Sequence, residues 1–213
     1  MGFGLLNPII TFSRFVLFLC LVNTASANVE TKDFTILVLG DSLSAGYGLP
    51  KGDAFPEQLS NKINNNQNNI NIINAGVSGD TTQGGLARLG WALSDNPDMV
   101  IVELGANDGL RGLEPSLMEK NLDAIITELK KREIKVLLTG MYAPPNYGED
   151  YLKEYNSVFP RLAKRHNITL YPFFLEGVAG EPTLNQPDGI HPTKEGIAIM
   201  VDRILPYVKE VMK

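Results

Sequence analysis

The feature that most restricts the fold of this chain is an alternation. Short apolar runs recur at TILVLG (35–40), INIINAG (70–76), MVIVELG (99–105), KVLLTG (135–140) and inside ITLYPFF (168–174). The run at 99–105 suits a strand covered on both faces. Between the runs lie stretches with helical character, expected over 53–64, 81–94, 115–132 and 149–166, with a closing helix at 194–212. Leu86, Leu89 and Leu93 recur at helical spacing, and Leu117, Leu122, Ile125, Ile126 and Leu129 form a second stripe. Pro56 suits a first helical turn, whereas Pro206 predicts an interruption or kink in the last helix. Asn64–Asn69 reads as a polar turn.

Strands alternating with helices predict a three-layer α/β/α domain around a five-stranded, mostly parallel sheet. Right-handed crossovers then place helices on both faces. No internal repeat or interdomain linker is visible. In such sheets ligands bind beyond the carboxyl ends of the strands.

Composition narrows the function classes. The chain has 213 residues and a formal net charge of −5, which argues against nucleic acid as a partner, because phosphate binding needs a basic face. The first 27 residues carry Arg14 as their only charge, then the apolar run FVLFLCLV (15–22), then Ala25-Ser26-Ala27. This pattern reads as a secretory signal peptide cut after Ala27, leaving a domain at 28–213 and an exported product in the periplasm or outside the cell. The apolar run is shorter than the roughly 20 residues a membrane span needs, so no stable span is expected. Cleavage would remove Cys20, the only cysteine. A thiol nucleophile and disulfides are thereby excluded, and with only His166 and His191 available, so is a Cys/His zinc site.

The strand ends hold the chemistry-bearing residues: GDSLSAGYG (40–48), NAGVSGDTT (74–82), GANDG (105–109) and GMYAPPNYG (140–148), with DGIHPTKEG (188–196) before the last helix. Each alone is compatible with ordinary turns. Ser42 could be a turn or cap serine, Gly79 a turn glycine, and Asn107 a cap of the turn that follows it. Asp188 fits a Pro-Asp-Gly turn, yet its place three residues before His191 also lets a carboxylate reach an imidazole. Asp41 is the rival acid, expected instead to brace its turn through backbone hydrogen bonds. His166 ends a basic amphipathic helix, where a solvated role is expected. What the segments share is a place on the ligand-binding edge of the sheet.

Taken in order, GDSLSAGYG, SGDTTQGGLARL, ELGANDGLRG and DGIH resemble the SGNH (GDSL) hydrolase family, in its bacterial exported thioesterase, lysophospholipase and arylesterase branch. The resemblance spans nearly all of 28–213. Ala106 departs from it, standing where many relatives have glycine. The resemblance implies a flavodoxin-like sheet and hydrolysis of esters or thioesters without metal or organic cofactor. It implies Ser42 as nucleophile, His191 as base and Asp188 as orienting acid, with the backbone N–H groups of Ser42 and Gly79 and the Asn107 amide as oxyanion donors. Leu110, Met141, Tyr142, Pro144, Pro145 and Tyr147 are candidates for an apolar substrate pocket. The expected partner is a small-molecule or lipid-like ester, and the expected state a monomer. Rival readings are a polysaccharide acetylesterase of the same chemistry, a binding module without catalysis, and a phosphate-binding α/β protein, the last lacking any GxxxxGK loop.

Overall fold

The alternation becomes a five-stranded sheet in which every pairing is parallel. The structure, a computed structural model, describes residues 1–4, 34–64 and 69–213. The strands are β1 (Phe34–Gly40), β2 (Ile70–Gly76), β3 (Met99–Glu103), β4 (Lys135–Thr139) and β5 (Thr169–Tyr171), in the order β2-β1-β3-β4-β5. This is the doubly wound order whose switch point falls beside β1. All the elements lie in one compact unit, Asp33–Lys213. Most of the expected leader, with its cleavage point after Ala27, lies outside the described residues, as do residues 65–68 of the polar turn.

Among the described residues, seven α-helices accompany the strands: α1 (Ser42–Ala45), α2 (Phe55–Asn64), α3 (Thr82–Ala92), α4 (Ala106–Leu110), α5 (Pro115–Lys131), α6 (Glu149–His166) and α7 (Lys194–Met212). Helices α2 and α7 pack together on one side, while α5 packs against both α3 and α6. The core follows from the sequence stripes. Ile36 to Leu39, Met99 to Val102 and Leu137 to Leu138 are buried between the helical layers, against Leu59, Leu122, Ile125, Ile126, Leu129 and Ile204. Leu117 is the exception on the α5 stripe and stands exposed.

Several boundaries differ from the sequence expectation. α7 runs through Pro206 without interruption, and α6 through Pro160. α3 stops at Ala92, because a tighter 3-10 turn takes over and Asn96 adopts a left-handed conformation (φ 48°). β3 ends at Glu103, and Gly105 (φ 123°) turns the chain into the short α4. None of the helices among the described residues is long and apolar enough to cross a membrane.

Candidate active site

The site is built outward from the end of β1. Asp41 follows the strand and caps α1: its Oδ1 accepts from the Leu43 N–H at 3.0 Å. This holds Ser42 at the first position of a one-turn helix, directly above the sheet edge. The small residues of the motif have a packing reason. Register places Gly40 beside Glu103, and a Cβ on Gly40 would overlap Ser44 Oγ and the Glu103 carboxylate.

His191 arrives from the other end of the chain. Its loop is held by the Gln186 N–H donating to the His191 carbonyl at 2.7 Å, and by Gln186 Nε2 donating to the carbonyls of Tyr47 (2.8 Å) and Pro192 (3.0 Å). Thr193 then caps α7. The imidazole Nε2 lies 2.9 Å from Ser42 Oγ, and Nδ1 lies 2.7 Å from Asp188 Oδ2. Asp188 Oδ1 meanwhile accepts the backbone N–H groups of Ile190 and His191, each at 3.1 Å. The turn role and the imidazole contact therefore coexist in one carboxylate. These three hydrogen bonds, that from the ring first, lower the Asp188 pKa to about 2. An ionised carboxylate only accepts, so the ring proton belongs on Nδ1 and the Nε2 lone pair faces the serine hydroxyl.

Asn107, on α4, donates from Nδ2 to Asp41 Oδ2 at 3.0 Å. Its neighbour Asp108 is buried and accepts from the Thr82 N–H (2.8 Å) and hydroxyl (2.6 Å), tying the β3 loop to the start of α3. Burial raises the Asp108 pKa against those bonds. Gly79 lies on the neighbouring β2 loop with φ 85°, a region that other residues resist. Arg111 Nη2 donates to the Gly79 carbonyl at 2.8 Å, and Arg88 joins Asp80 (2.6 Å) to the Gly40 carbonyl (2.9 Å). Ala106 fits this loop, packing against the core.

An open cleft of about 220 Å³ starts at these groups. Asp41, Ser42, Asn107 and His191 line it together with Leu110, Met141, Tyr142 and Pro144. Phe173, Leu175 and Ile190, from the segment between β5 and His191, also line it, with the Phe173 ring packed against that of Tyr142 (centroids 4.6 Å apart). Pro145 and Tyr147, expected on the wall, do not line the cleft. The Tyr147 hydroxyl instead donates to the Leu110 carbonyl at 2.8 Å, so its reach is to the backbone of that loop. Gly79 also lies off the cleft lining. His166 departs from its expected solvated role: it is largely buried and shares a 2.8 Å hydrogen bond with Asp123.

Glu103 is a further residue of the site, at the end of β3. It is buried behind α1, where its Oε2 accepts from the Ser44 hydroxyl (2.7 Å) and the Asp41 N–H (3.2 Å). Burial, then the nearby Asp41 carboxylate, pushes its pKa well up, and burial also raises that of Asp41. The available signal was a lone acid closing an otherwise apolar strand. Among the described residues, no group of three or more His, Cys, Asp or Glu side chains is arranged to hold a metal ion.

The model of the GDSL-like lipase/acylhydrolase family matches residues 38–199, a span that starts in β1 and ends in α7, enclosing Ser42, Gly79, Asn107, Asp188 and His191. The chain belongs to this family. An arylesterase of Vibrio mimicus is 41% identical over 181 residues, which is 84% of this chain and 88% of that protein. Thioesterase 1/protease 1/lysophospholipase L1 of Escherichia coli K12 is 41% identical over 187 residues, covering 87% and 86%. The crystal structure of the psychrotrophic esterase EstA from a Pseudoalteromonas species, inhibited by monoethylphosphonate, superposes with a TM-score of 0.80 at 38% identity, covering 84% of this chain and 99% of that one. The five-stranded parallel sheet with helices on both sides is that of its structural relatives.

Proposed function

We propose that this GDSL-family chain hydrolyses carboxylic esters and thioesters through an acyl-enzyme on Ser42. The observation that carries the reading is the chain of hydrogen bonds from Ser42 Oγ through both His191 ring nitrogens to Asp188 (2.9 and 2.7 Å). A serine hydroxyl is a weak nucleophile until a base takes its proton during attack. As Oγ bonds to the substrate carbonyl carbon, His191 Nε2 receives that proton, and Asp188 stabilises the resulting imidazolium. His191 then gives the proton to the departing alcohol or thiol, which leaves the acyl group on Ser42. A water activated by the same imidazole attacks the acyl carbon and releases the acid.

The oxyanion formed at each attack needs fixed donors. The Ser42 and Gly79 N–H groups and the second Asn107 Nδ2–H are assigned to it. Support for Asn107 is its anchor on Asp41, which uses one amide hydrogen and leaves the other for the cleft that the residue lines.

The apolar walls of the cleft, from Leu110 and Met141 to Phe173 and Ile190, favour an acyl, aryl or lysophospholipid ester over the acetyl group of a polysaccharide. The relatives named as arylesterase and as thioesterase and lysophospholipase support the same breadth. Export is proposed from the leader at residues 1–27, and a monomer from the fact that one chain supplies every group of the site. Hydrolysis of p-nitrophenyl esters from acetyl to palmitoyl, by the wild type and by Ser42→Ala, tests the reading. Activity lost in the variant and strongest on butyryl or longer chains is expected. Equal rates for the two proteins would overturn it.

A further inference from the structure

Tyr47 is the penultimate residue of the serine motif and takes no part in the bond-making steps. Its ring is half exposed, yet it lies against the imidazole of His191, with centroids 4.5 Å apart and planes 35° from parallel. The contact is held from both sides. Gln186 Nε2 bonds the Tyr47 carbonyl, and the Gln186 N–H bonds the His191 carbonyl, so one residue fixes both partners' backbones. A tyrosine face attracts a cation within about 6 Å of its centroid. The imidazole is a cation while it carries the serine's proton, and also when solvent protonates it on the acidic limb of a pH profile.

From this juxtaposition we infer that Tyr47 is a positioning residue, which braces the His191 ring and stabilises its protonated form at the moment of attack. The inference rests on the acyl-enzyme reading. It concerns the ring face and leaves the tyrosine hydroxyl without a role. The charged or titratable groups around the imidazole are Asp188 at Nδ1, Asp41 on the turn that carries Ser42, and Tyr47 itself. Both acids stay in place when Tyr47 is substituted.

Tyr47→Phe keeps the aromatic face, whereas Tyr47→Leu keeps apolar bulk without it. The two are compared with wild type and Ser42→Ala by measuring kcat/KM for p-nitrophenyl butyrate across pH 5 to 9. Tyr47→Phe is expected within about twofold of wild type throughout. Tyr47→Leu is expected to lower the plateau by about 3- to 30-fold and to move the acidic limb to lower pH, because the protonated ring has lost a stabilising neighbour. A Tyr47→Leu profile identical to wild type overturns the inference. So does a lowered plateau with the limb unmoved, which is what loss of packing alone would give. Failure of the underlying reading is separate, since Ser42→Ala would then match wild type.

Discussion

The Asn107 amide is anchored on the residue that immediately precedes Ser42: its Nδ2 donates to Asp41 Oδ2 at 3.0 Å, across 66 positions of sequence. The same carboxylate caps the one-turn helix that presents the serine. One buried side chain thus sets the position of both the attacking oxygen and the proposed oxyanion donor.

Asn107→Ala is expected to lower kcat by about 10²–10³ with little change in KM, as for loss of one oxyanion donor. Asp41→Asn leaves a donor facing a donor. It should lower kcat by roughly tenfold, in line with loss of one hydrogen bond to a charged group. The two substitutions act on one unit, so Asp41→Asn should add little in the Asn107→Ala background. Steady-state kinetics on the double-mutant cycle check this, and full multiplicativity would contradict the anchor.

The buried carboxyls of Asp41 and Glu103 have raised pKa values, so the folded protein holds more protons than the unfolded chain over the window between ordinary and raised values. Stability therefore falls as pH rises through that window. Glu103→Gln keeps an acceptor for the Ser44 hydroxyl and removes the ionisable group. Its Tm should match wild type near pH 4 and exceed it above neutral pH, by about 2–4 °C for each kcal/mol recovered. Thermal melts across pH check the sign, and a Tm difference independent of pH would contradict it.

Ala143 is a small, half-buried residue on the cleft wall. Ala143→Phe should narrow the cleft beyond the reacting groups. We expect kcat/KM for p-nitrophenyl octanoate to fall by about tenfold or more while that for the acetate stays within about twofold, since each buried CH₂ contributes about 0.8 kcal/mol. Parallel losses on both esters would place Ala143 outside the acyl path.

The sheet was legible because its strands are short apolar runs of even spacing, and parallel strands need helical crossovers between them. The residues at the strand ends were legible because glycine, serine, asparagine and aspartate stand out after such runs. Pro206 does not interrupt α7, which continues through it with its length docked by Ile197, Met200, Val201, Ile204 and Val208. Glu103, Asp108 and Gln186 were not legible as parts of the site. Their roles arise from register and from contacts 26 to 139 residues apart, which local patterns do not encode. Tyr147 looked like a pocket residue because it is aromatic and in the right loop, but its hydroxyl turns it toward the Leu110 carbonyl.

The most direct test of the account is to treat the protein with a p-nitrophenyl alkylphosphonate and locate the adduct by intact-mass and peptide mass spectrometry. One phosphonyl group per chain is expected, on Ser42, formed with release of one equivalent of p-nitrophenol and absent in Ser42→Ala. An unlabelled wild type, or label on Ser44 or any other residue with Ser42 untouched, would contradict it.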